Sequence, residues 1–556
     1  MEKKEIEVIN MKAIKRIISV SFSTTLTLLF TGGFFFAQDI SLPDITTVVQ
    51  GGNVQADDEA LPDFTDVMVL PQGSGASVPV LQELDAPDSS EVKPITFTEK
   101  ERSVYVEGLI GAGYPTLFIG DFSLFRQAGN SPFKLTFMHD SALGYSGTAL
   151  TDSFSDRTTS ITLDKGFKRE KYNLSFGGSY KTESNGLQNK TDGISSYNQS
   201  LVSADGKFEF FLPYGFSLCS EASMDFYNRY SDISSAVYDS VLVWARKNTL
   251  YGISPSLFVK WNNYGFSAAL TGNYSLSADL FDEIEGSAAN RGSFKLDFAW
   301  ANDYINAYGN AALVFGNYMN TSSVLVPFTL GINSAFPVYF SDRRFSIYAE
   351  GGLESFQNKI FELEEKYVFS AFSFFPTESS DWFAKLGMKV PLKESFTGEF
   401  EIEYRNTAFG NGIWEPLYDD TVLTNGLYGY VQTERQLLKS DFNISYHYKI
   451  FSIKAGWQSN WLYIPVLETP QALTLSLDFQ GRDSLWGAEL SSAFYIGEGG
   501  TDPVINLECF ARLTPAVRIV GNVEDIVKLM KGEQRIYAGQ YAARGGTAKI
   551  LLKFFF

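Results

Sequence analysis

The sequence contains very little cysteine and histidine, with 2 residues of each type among 556. A Cys- or His-rich metal site therefore has no cluster of ligands from which to form, and we predict no metal or cofactor. Cys219 and Cys509 stand far apart in strand-like stretches, so we interpret them as small wall residues; a disulfide between them is the alternative. Basic residues are also scarce, since the formal net charge is -19. This excludes a nucleic-acid-binding surface, which requires a basic stripe.

Long apolar runs are missing beyond the first 38 residues, so the sequence predicts no transmembrane helix in the mature chain. Before that point, a basic start from Lys12 to Arg16 precedes an apolar run over 17–36. This order predicts a signal peptide over 1–38, with Met11 as the true start because the residues before it are acidic. An exported chain without membrane helices can still cross a bilayer as a closed β-barrel.

Aromatic residues are abundant, at 15% of the chain, although 20% of the residues are charged. This combination is typical of strands that have one apolar and one polar face. One such stretch alternates Leu473, Leu475 and Leu477 with Thr474 and Ser476, which is the period of a β-strand. The composition and this alternation predict an all-β fold.

The breaks between alternating stretches are short and long in turn. Short connections, such as 213–215, alternate with longer polar loops, such as 229–247 and 406–427. Short turns at one end and long loops at the other are typical of bacterial outer-membrane barrels. We therefore predict a transmembrane antiparallel up-and-down β-barrel over 96–556, with about 22 strands in a range of about 18 to 24. The stretch 361–375 is assigned to an extracellular excursion, which keeps the strand number even.

The sixth strand of this barrel is predicted to begin at Lys207, because the preceding stretch, 183–203, is polar and is interpreted as a long loop.

The last strand ends the chain on three consecutive phenylalanines. Phe556, Phe554 and Leu552 share one face, whereas Lys553 and Lys549 share the other. This pattern resembles the C-terminal signature of outer-membrane barrel proteins, which the barrel assembly machinery recognises. The resemblance implies that these three apolar residues are an assembly signal, with outer-membrane lipid and the assembly machinery as partners. A buried edge strand of a soluble sheet is the alternative.

An acidic segment over 39–95 precedes the barrel. It carries eleven acidic residues between Asp39 and Lys93, and Lys93 is its only base. We predict a disordered periplasmic segment, because it cannot bury enough apolar surface to order itself. A repeated Leu-Pro-Asp element indicates a docking motif for a periplasmic partner; its first copy resembles a TonB box, and a plain tether is the alternative. The residues of this motif are Asp44, Ile45, Val48 and Val49.

Charged residues on the polar faces of the strands are predicted to face the lumen. Acidic residues would favour cations if the lumen is open. Alternatively, Lys207, Lys295 and Arg405 balance them in ion pairs. The lumen-facing candidates are Glu399, Glu401, Glu403, Arg405, Asp297, Lys295 and Asp478.

No set of nucleophile, base and acid has a convincing spacing, so we predict no enzymatic activity and no catalytic residue. His139, with Asp140 and Ser141, is the one candidate for a hydrolase site in the barrel wall. A polar cluster at a strand end explains these residues equally well.

The final hairpin carries Asn522 and Asp525, an aromatic loop with Tyr541, and a Gly-Gly-Thr turn before the last strand. This order resembles the end of TonB-dependent receptor barrels, which implies a transport or diffusion channel for small solutes in the bacterial outer membrane. Those receptors have a globular plug where this chain has the acidic segment. An empty lumen of this width would be a permeability hazard, so the acidic segment, inward side chains or a separate protein should obstruct it. The alternative function is a surface adhesin or scaffold that presents the long loops.

Overall fold

The computed structural model describes most of the chain from residue 104 onwards. The predicted signal peptide, the acidic segment and its docking motif lie outside the described residues. The described ranges are 104–127, 129–144, 154–191, 194–233, 248–280, 288–318, 321–338, 341–393, 395–418, 426–481, 484–497, 502–538 and 540–556.

Almost all of the regular structure in these ranges is β-strand. The first strands are β1 (Tyr105–Tyr114), β2 (Leu117–Arg126), β3 (Phe133–Leu143), β4 (Ser155–Lys168), β5 (Tyr172–Gly186), β6 (Ile194–Phe211), β7 (Phe216–Ile233), β8 (Asn248–Asn263), β9 (Phe266–Asp279), β10 (Ala288–Ala301), β11 (Ile305–Tyr318), β12 (Thr321–Leu325), β13 (Phe328–Val338) and β14 (Ser341–Phe356). The others are β15 (Ser379–Lys393), β16 (Phe396–Thr407), β17 (Ile413–Pro416), β18 (Tyr430–Thr433), β19 (Gln436–Tyr448), β20 (Phe451–Asn460), β21 (Gln471–Gln480), β22 (Trp486–Ile496), β23 (Val504–Thr514), β24 (Val517–Glu524), β25 (Arg535–Ala538), β26 (Tyr541–Ala543) and β27 (Thr547–Phe555). Two short helices, α1 (Ile360–Lys366) and α2 (Ile526–Lys531), lie in connections between strands.

The main sheet closes on itself because its first and last strands pair. β1 runs antiparallel to β27, from Glu107 opposite Phe555 to Tyr114 opposite Ala548. The sheet contains 23 strand segments, but β12 and β13 both pair with β11 and form one interrupted strand, which leaves 22. The predicted 22-strand antiparallel barrel is therefore confirmed.

The connections between consecutive barrel strands differ in length at the two ends. Residues 169–171, 264–265 and 515–516 are short turns at the end where β1 begins and β27 finishes, which we call the short-turn end. Most long connections, such as 357–378 and 525–546, lie at the opposite, long-loop end. In outer-membrane barrels the short turns are periplasmic and the long loops extracellular.

The outer surface carries a belt of apolar side chains. On β10, Phe294, Leu296 and Phe298 are 63%, 51% and 48% exposed. The alternate residues Lys295 and Asp297 point to the other face of the sheet, where they form an ion pair of 2.7 Å. A bilayer covers such a belt, since an apolar surface of this extent is not stable in water.

In the described part of the chain, neither helix is long and apolar enough to span a bilayer.

The predicted start of the sixth strand at Lys207 is wrong, as is the long loop over 183–203. β6 already begins at Ile194, and its first half pairs with the end of β5. This half lacks apolar outward residues because it extends past the hydrocarbon layer, where a polar outer face costs nothing. Alternation of apolar residues therefore could not detect it.

The two cysteines are both free thiols: Cys219 is buried in the wall, on β7, and Cys509 is exposed, on β23. They are wall residues, and the alternative of a disulfide between them is not realised.

Replacement of Gly113 by alanine is expected to weaken closure of the barrel. A Cβ at this position would lie 2.2 Å from the carbonyl oxygen of Ala548, which is backbone of β27 and cannot rotate away. Such overpacking typically costs about 1–3 kcal/mol. Gly120→Ala is the matched control, because its Cβ would meet no backbone atom and only the side chains of Phe122, at 3.4 Å, and Phe118, at 4.0 Å, which is ordinary van der Waals contact. Heat-induced loss of the compact, faster-migrating form in denaturing gels measures the effect. Equal midpoints for the two variants would contradict the expectation.

Candidate functional site

The inner face of the barrel is charged but largely ion-paired along β14 to β16. The Lys389 ammonium lies 2.8 Å from the Glu399 carboxylate, and Lys385 lies 2.8 Å from Glu401. Each pair joins directly opposite or neighbouring positions of β15 and β16. Two of the three acids in the predicted row are thus matched by lysines of the adjacent strand.

Arg405 continues this charged row towards the long-loop end. Its guanidinium lies 2.6 Å from Glu403 and 2.7 Å from Glu354. Asp381, a fully buried neighbour, lies 4.0 Å from Arg405 and 2.6 Å from Arg435. Arg405 therefore holds three strands, β14, β15 and β16, together by charge.

The other lumen-facing candidates lie elsewhere in the sheet. Asp297 pairs with Lys295 on β10, as described above. Asp478 stands opposite Ser452 on β20 and Glu489 on β22. The structure brings Glu399, Glu401, Glu403 and Arg405 together on one strand and leaves these three residues outside that group. The assignment of these seven residues to solute passage stays a prediction.

The connection between β14 and β15 folds into the barrel instead of standing away from it. This inward segment comprises residues 357–378 and contains α1. Glu365 forms an ion pair with Lys181, which lies five residues before the end of β5, and Lys359 lies 3.8 Å from Asp225 in the middle of β7. The stretch 361–375, predicted as an excursion between strands, is therefore a connection, and it turns into the barrel. Its apolar side chains explain this direction, because they require burial.

A buried carboxylate, that of Glu364, anchors the inward segment to the wall. Glu364 is 0% exposed. It accepts hydrogen bonds from Tyr197 at 3.2 Å, from Tyr227 at 2.7 Å and from the Phe372 backbone N–H at 2.8 Å. The Arg229 guanidinium forms an ion pair with it and also donates to the Phe372 carbonyl. Four donors on a buried carboxylate are what an ionised group needs in a low-dielectric site.

Burial and charge act on the acidity of the groups at this anchor. Burial raises the pKa of the Glu364 carboxyl above its usual value, whereas the Arg229 guanidinium and the Phe372 N–H act in the opposite direction. The pKa of the Tyr430 hydroxyl, in the loop strand β18, is raised well above its usual value by burial and by the nearby Glu364. Tyr430 therefore stays protonated and donates to the Leu363 carbonyl at 3.0 Å.

Aromatic rings from three long connections pack around this anchor. Phe372 stacks on Tyr430 with ring centroids 3.7 Å apart, and Phe369 stacks on Tyr541 at 4.1 Å. Tyr428 pairs through its backbone with Phe369 and Ala371, at 2.8 and 3.0 Å. The cluster joins the inward segment to the loops 408–435 and 525–546, so the long-loop end is partly closed by the protein's own connections.

The motif of the final hairpin has a structural role in this closure. Asp525 accepts a hydrogen bond from the Lys528 N–H at 3.3 Å, which caps α2, and also binds Arg535 at 3.1 Å. Asn522 donates to Glu508 at 3.1 Å. The contacts of Asp525 lie within the loop that presents Tyr541 to the inward segment, whereas the contact of Asn522 joins the barrel strands β24 and β23.

At the short-turn end, the proposed assembly residues lie on the closing seam. The backbone of Phe556 exchanges hydrogen bonds of 2.8 and 3.0 Å with Val106. The Phe554 ring lies 5.9 Å from that of Phe122, and Leu552 stands opposite Ile110. Their recognition by assembly machinery stays a prediction.

The backbone separates the members of the candidate hydrolase set. His139 lies 3.2 Å from the Ser141 hydroxyl and 2.8 Å from that of Thr159, on the same face as the exposed Phe137. Asp140 points to the opposite face, where it lies 2.9 Å from Arg544. Asp140 therefore cannot orient His139.

Among the described residues, no group of three or more His, Cys, Asp or Glu side chains is arranged to hold a metal ion.

Sequence comparison and structural comparison give different results. The sequence matches no protein-family model and no curated protein. The fold, however, is similar to the FrpB iron transporter from Neisseria meningitidis, with a TM-score of 0.62, 8% identity and coverage of 82% of each chain. A mutant of the ferric enterobactin receptor PfeA from Pseudomonas aeruginosa is similar with a TM-score of 0.59 and 10% identity, over 82% of this chain and 80% of that chain. The copper transporter OprC is similar with a TM-score of 0.61 and 9% identity, over 82% of this chain and 80% of that chain.

These neighbours are TonB-dependent receptors, so the chain has the fold of the TonB-dependent receptor barrels of the bacterial outer membrane. The identity of 8–10% makes this a likeness of fold. The closed barrel and its apolar belt agree with a location in the outer membrane.

Glu364→Ala is expected to release the inward segment from the wall. The substitution leaves Arg229 buried without its charge partner, which typically costs about 3–5 kcal/mol. Amide hydrogen exchange over 360–372 should therefore accelerate on the order of a hundredfold to several thousandfold. Glu365→Ala is the matched control, because the Glu365 side chain is 47% exposed and such pairs contribute about 0–1 kcal/mol. Equal exchange rates in the two variants would show that Glu364 is not the anchor.

Proposed function

We propose that this protein is an outer-membrane channel for small solutes, and that the inward segment narrows its lumen. The observation that carries the proposal is the anchor at Glu364. It fixes a folded segment inside a closed barrel whose interior wall is polar. A narrowed lumen limits the size of the solutes that pass, whereas a scaffold barrel of this width would need a lumen that is blocked completely.

The structural neighbours support a transport role. Their names include an iron transporter, a copper transporter and a ferric enterobactin receptor. At the low identity of these matches, the substrates of those proteins do not carry over. We therefore propose transport of small hydrophilic solutes without assigning one.

The pairing of charges along β14 to β16 supports weak ion selectivity. Each of Glu399, Glu401 and Glu403 has a cationic partner within 2.8 Å. A paired carboxylate presents a smaller net field to a passing ion than a bare one. We therefore propose that this stretch of the wall is nearly neutral to solutes, in place of a strongly cation-selective row of acids.

We also propose that the acidic segment 39–95 extends into the periplasm and reaches a partner through its docking motif. Support comes from the position of Tyr105, where β1 begins at the short-turn end. In barrels of this type that end is periplasmic.

The purified mature protein is expected to give small conductance steps in a planar bilayer, and Glu364→Ala is expected to give larger ones. Loss of the anchor frees the inward segment and widens the lumen. Glu365→Ala, which removes only a partly exposed pair, should behave like the parent. Absence of any conductance in all three proteins would reject the channel and favour the surface-scaffold function.

Lys389→Gln is expected to raise the preference of the channel for cations. The change leaves the Glu399 carboxylate without the ammonium that now lies 2.8 Å away. The reversal potential across a potassium chloride gradient measures the preference. The double variant Lys389→Gln with Glu399→Gln removes both charges and should return the potential to that of the parent. An unchanged potential in the single variant would show that ions do not pass this pair.

A further inference from the structure

A concave stretch of the interior wall differs from the charged row of β14 to β16. It encloses a cavity of about 610 Å³ along β19 to β23, bordered by β16. Most of the inward side chains that line it are short, uncharged and polar. They are Asn443, Ser445, Thr474, Ser476, Ser491 and Asn506.

Charge is nearly absent from this lining. Its inward charged residues are Lys454 and Glu399, whose formal charges cancel. Glu399 also lies 2.8 Å from Lys389 of β15, so Lys454, Lys389 and Glu399 together carry one formal positive charge. The remaining hydroxyl and amide groups both donate and accept hydrogen bonds. Such a surface can exchange hydrogen bonds with a hydrated, uncharged solute. The acidic residues Asp478 and Glu489 of the same strands lie beyond this lining, towards the short-turn end.

The inward segment lies against a different part of the wall. Its polar contacts described above are with Lys181 on β5 and with Asp225 and Arg229 on β7. In addition, the Gln357 side chain donates a hydrogen bond of 2.8 Å to Ser275 on β9. Glu378 adds an ion pair of 3.0 Å with Arg291 on β10. These strands are the fifth to tenth around the ring, whereas β19 to β23 are the sixteenth to twentieth of 22. The two regions are therefore about half a circumference apart.

We propose that solutes pass between the inward segment and the wall of β19 to β23, and that this path suits small uncharged solutes rich in hydroxyl or amide groups. The proposal rests on the channel function and specifies its route and solute class. Short side chains leave open space beside the wall of β19 to β23. The folded segment fills the space beside the opposite wall. The path therefore follows the side of the lumen where the lining of the cavity is mostly uncharged.

Single-cysteine variants test the route. Cys219→Ser and Cys509→Ser provide the background, and Ser476→Cys or Ser491→Cys places one thiol of nearly unchanged size on the path. Ser275→Cys is the matched control: it is also an inward serine in mid-strand, but it is only 8% exposed and is covered by Gln357. Each full-length mature protein is placed in liposomes and treated with a membrane-impermeant methanethiosulfonate reagent. Mass spectrometry then measures modification, and the rate of liposome swelling in sorbitol measures transport.

Modification at positions 476 and 491 is expected, with a several-fold slower entry of sorbitol, whereas position 275 should stay unmodified and its variant should swell at the background rate. Sorbitol should also enter the untreated background protein faster than similarly sized organic ions.

The contradicting outcomes are distinct. Unchanged sorbitol entry after modification of 476 and 491 would reject this route but leave the channel intact, as would rapid modification and block at 275. Faster entry of the organic ions would reject the solute class. Absence of swelling in both the background protein and its Glu364→Ala variant would reject the channel function itself.

Discussion

Closure of the sheet is the constraint on which the rest of the structure depends. Within hydrocarbon every backbone N–H and C=O must find a protein partner, so a sheet that crosses a bilayer cannot have an edge. The pairing of β1 with β27 removes the last edge. At this seam Gly113 lies so close to the carbonyl of Ala548 that there is no space for a larger residue, and the Phe554 ring packs over Gly108. Antiparallel closure requires an even number of strands. It also places the start of β1 and the finish of β27 at the same end of the barrel.

A ring of this size creates a second requirement, because side chains cannot fill so wide an interior. The protein meets part of it with the inward segment. Placing Glu364 out of contact with water would be unfavourable for an isolated carboxylate, and it becomes tolerable only because Arg229, two tyrosines and a backbone N–H surround it. The anchor thus gives the segment one defined position, because Arg229, Tyr197 and Tyr227 present their donors together at this place on the wall.

The interior is consequently asymmetric. Long charged side chains in ion pairs cover β14 to β16, and the folded segment with its aromatic cluster occupies the side of β5 to β10. The cavity along β19 to β23 is lined mostly by short polar side chains instead. A barrel that blocks most of its lumen and still admits solutes needs both kinds of wall. Here one set of strands binds the occluding segment, and a different set lines the space that stays open.

Much of the architecture is determined by the sequence alone. Each strand faces lipid on one side and the lumen on the other, so apolar and polar residues alternate along it. The strand number, the order of short and long connections and the closing strand with Phe554 and Phe556 all follow from that local pattern. The first half of β6 was not predicted from this pattern, because a strand that extends beyond the lipid needs no apolar outer face. The break in alternation at 361–375 marked the inward segment but not its direction. Only the tertiary structure decided that, because Glu364 and Arg229 are separated by more than 130 residues and their pairing depends on how the closed ring places distant strands around a common interior.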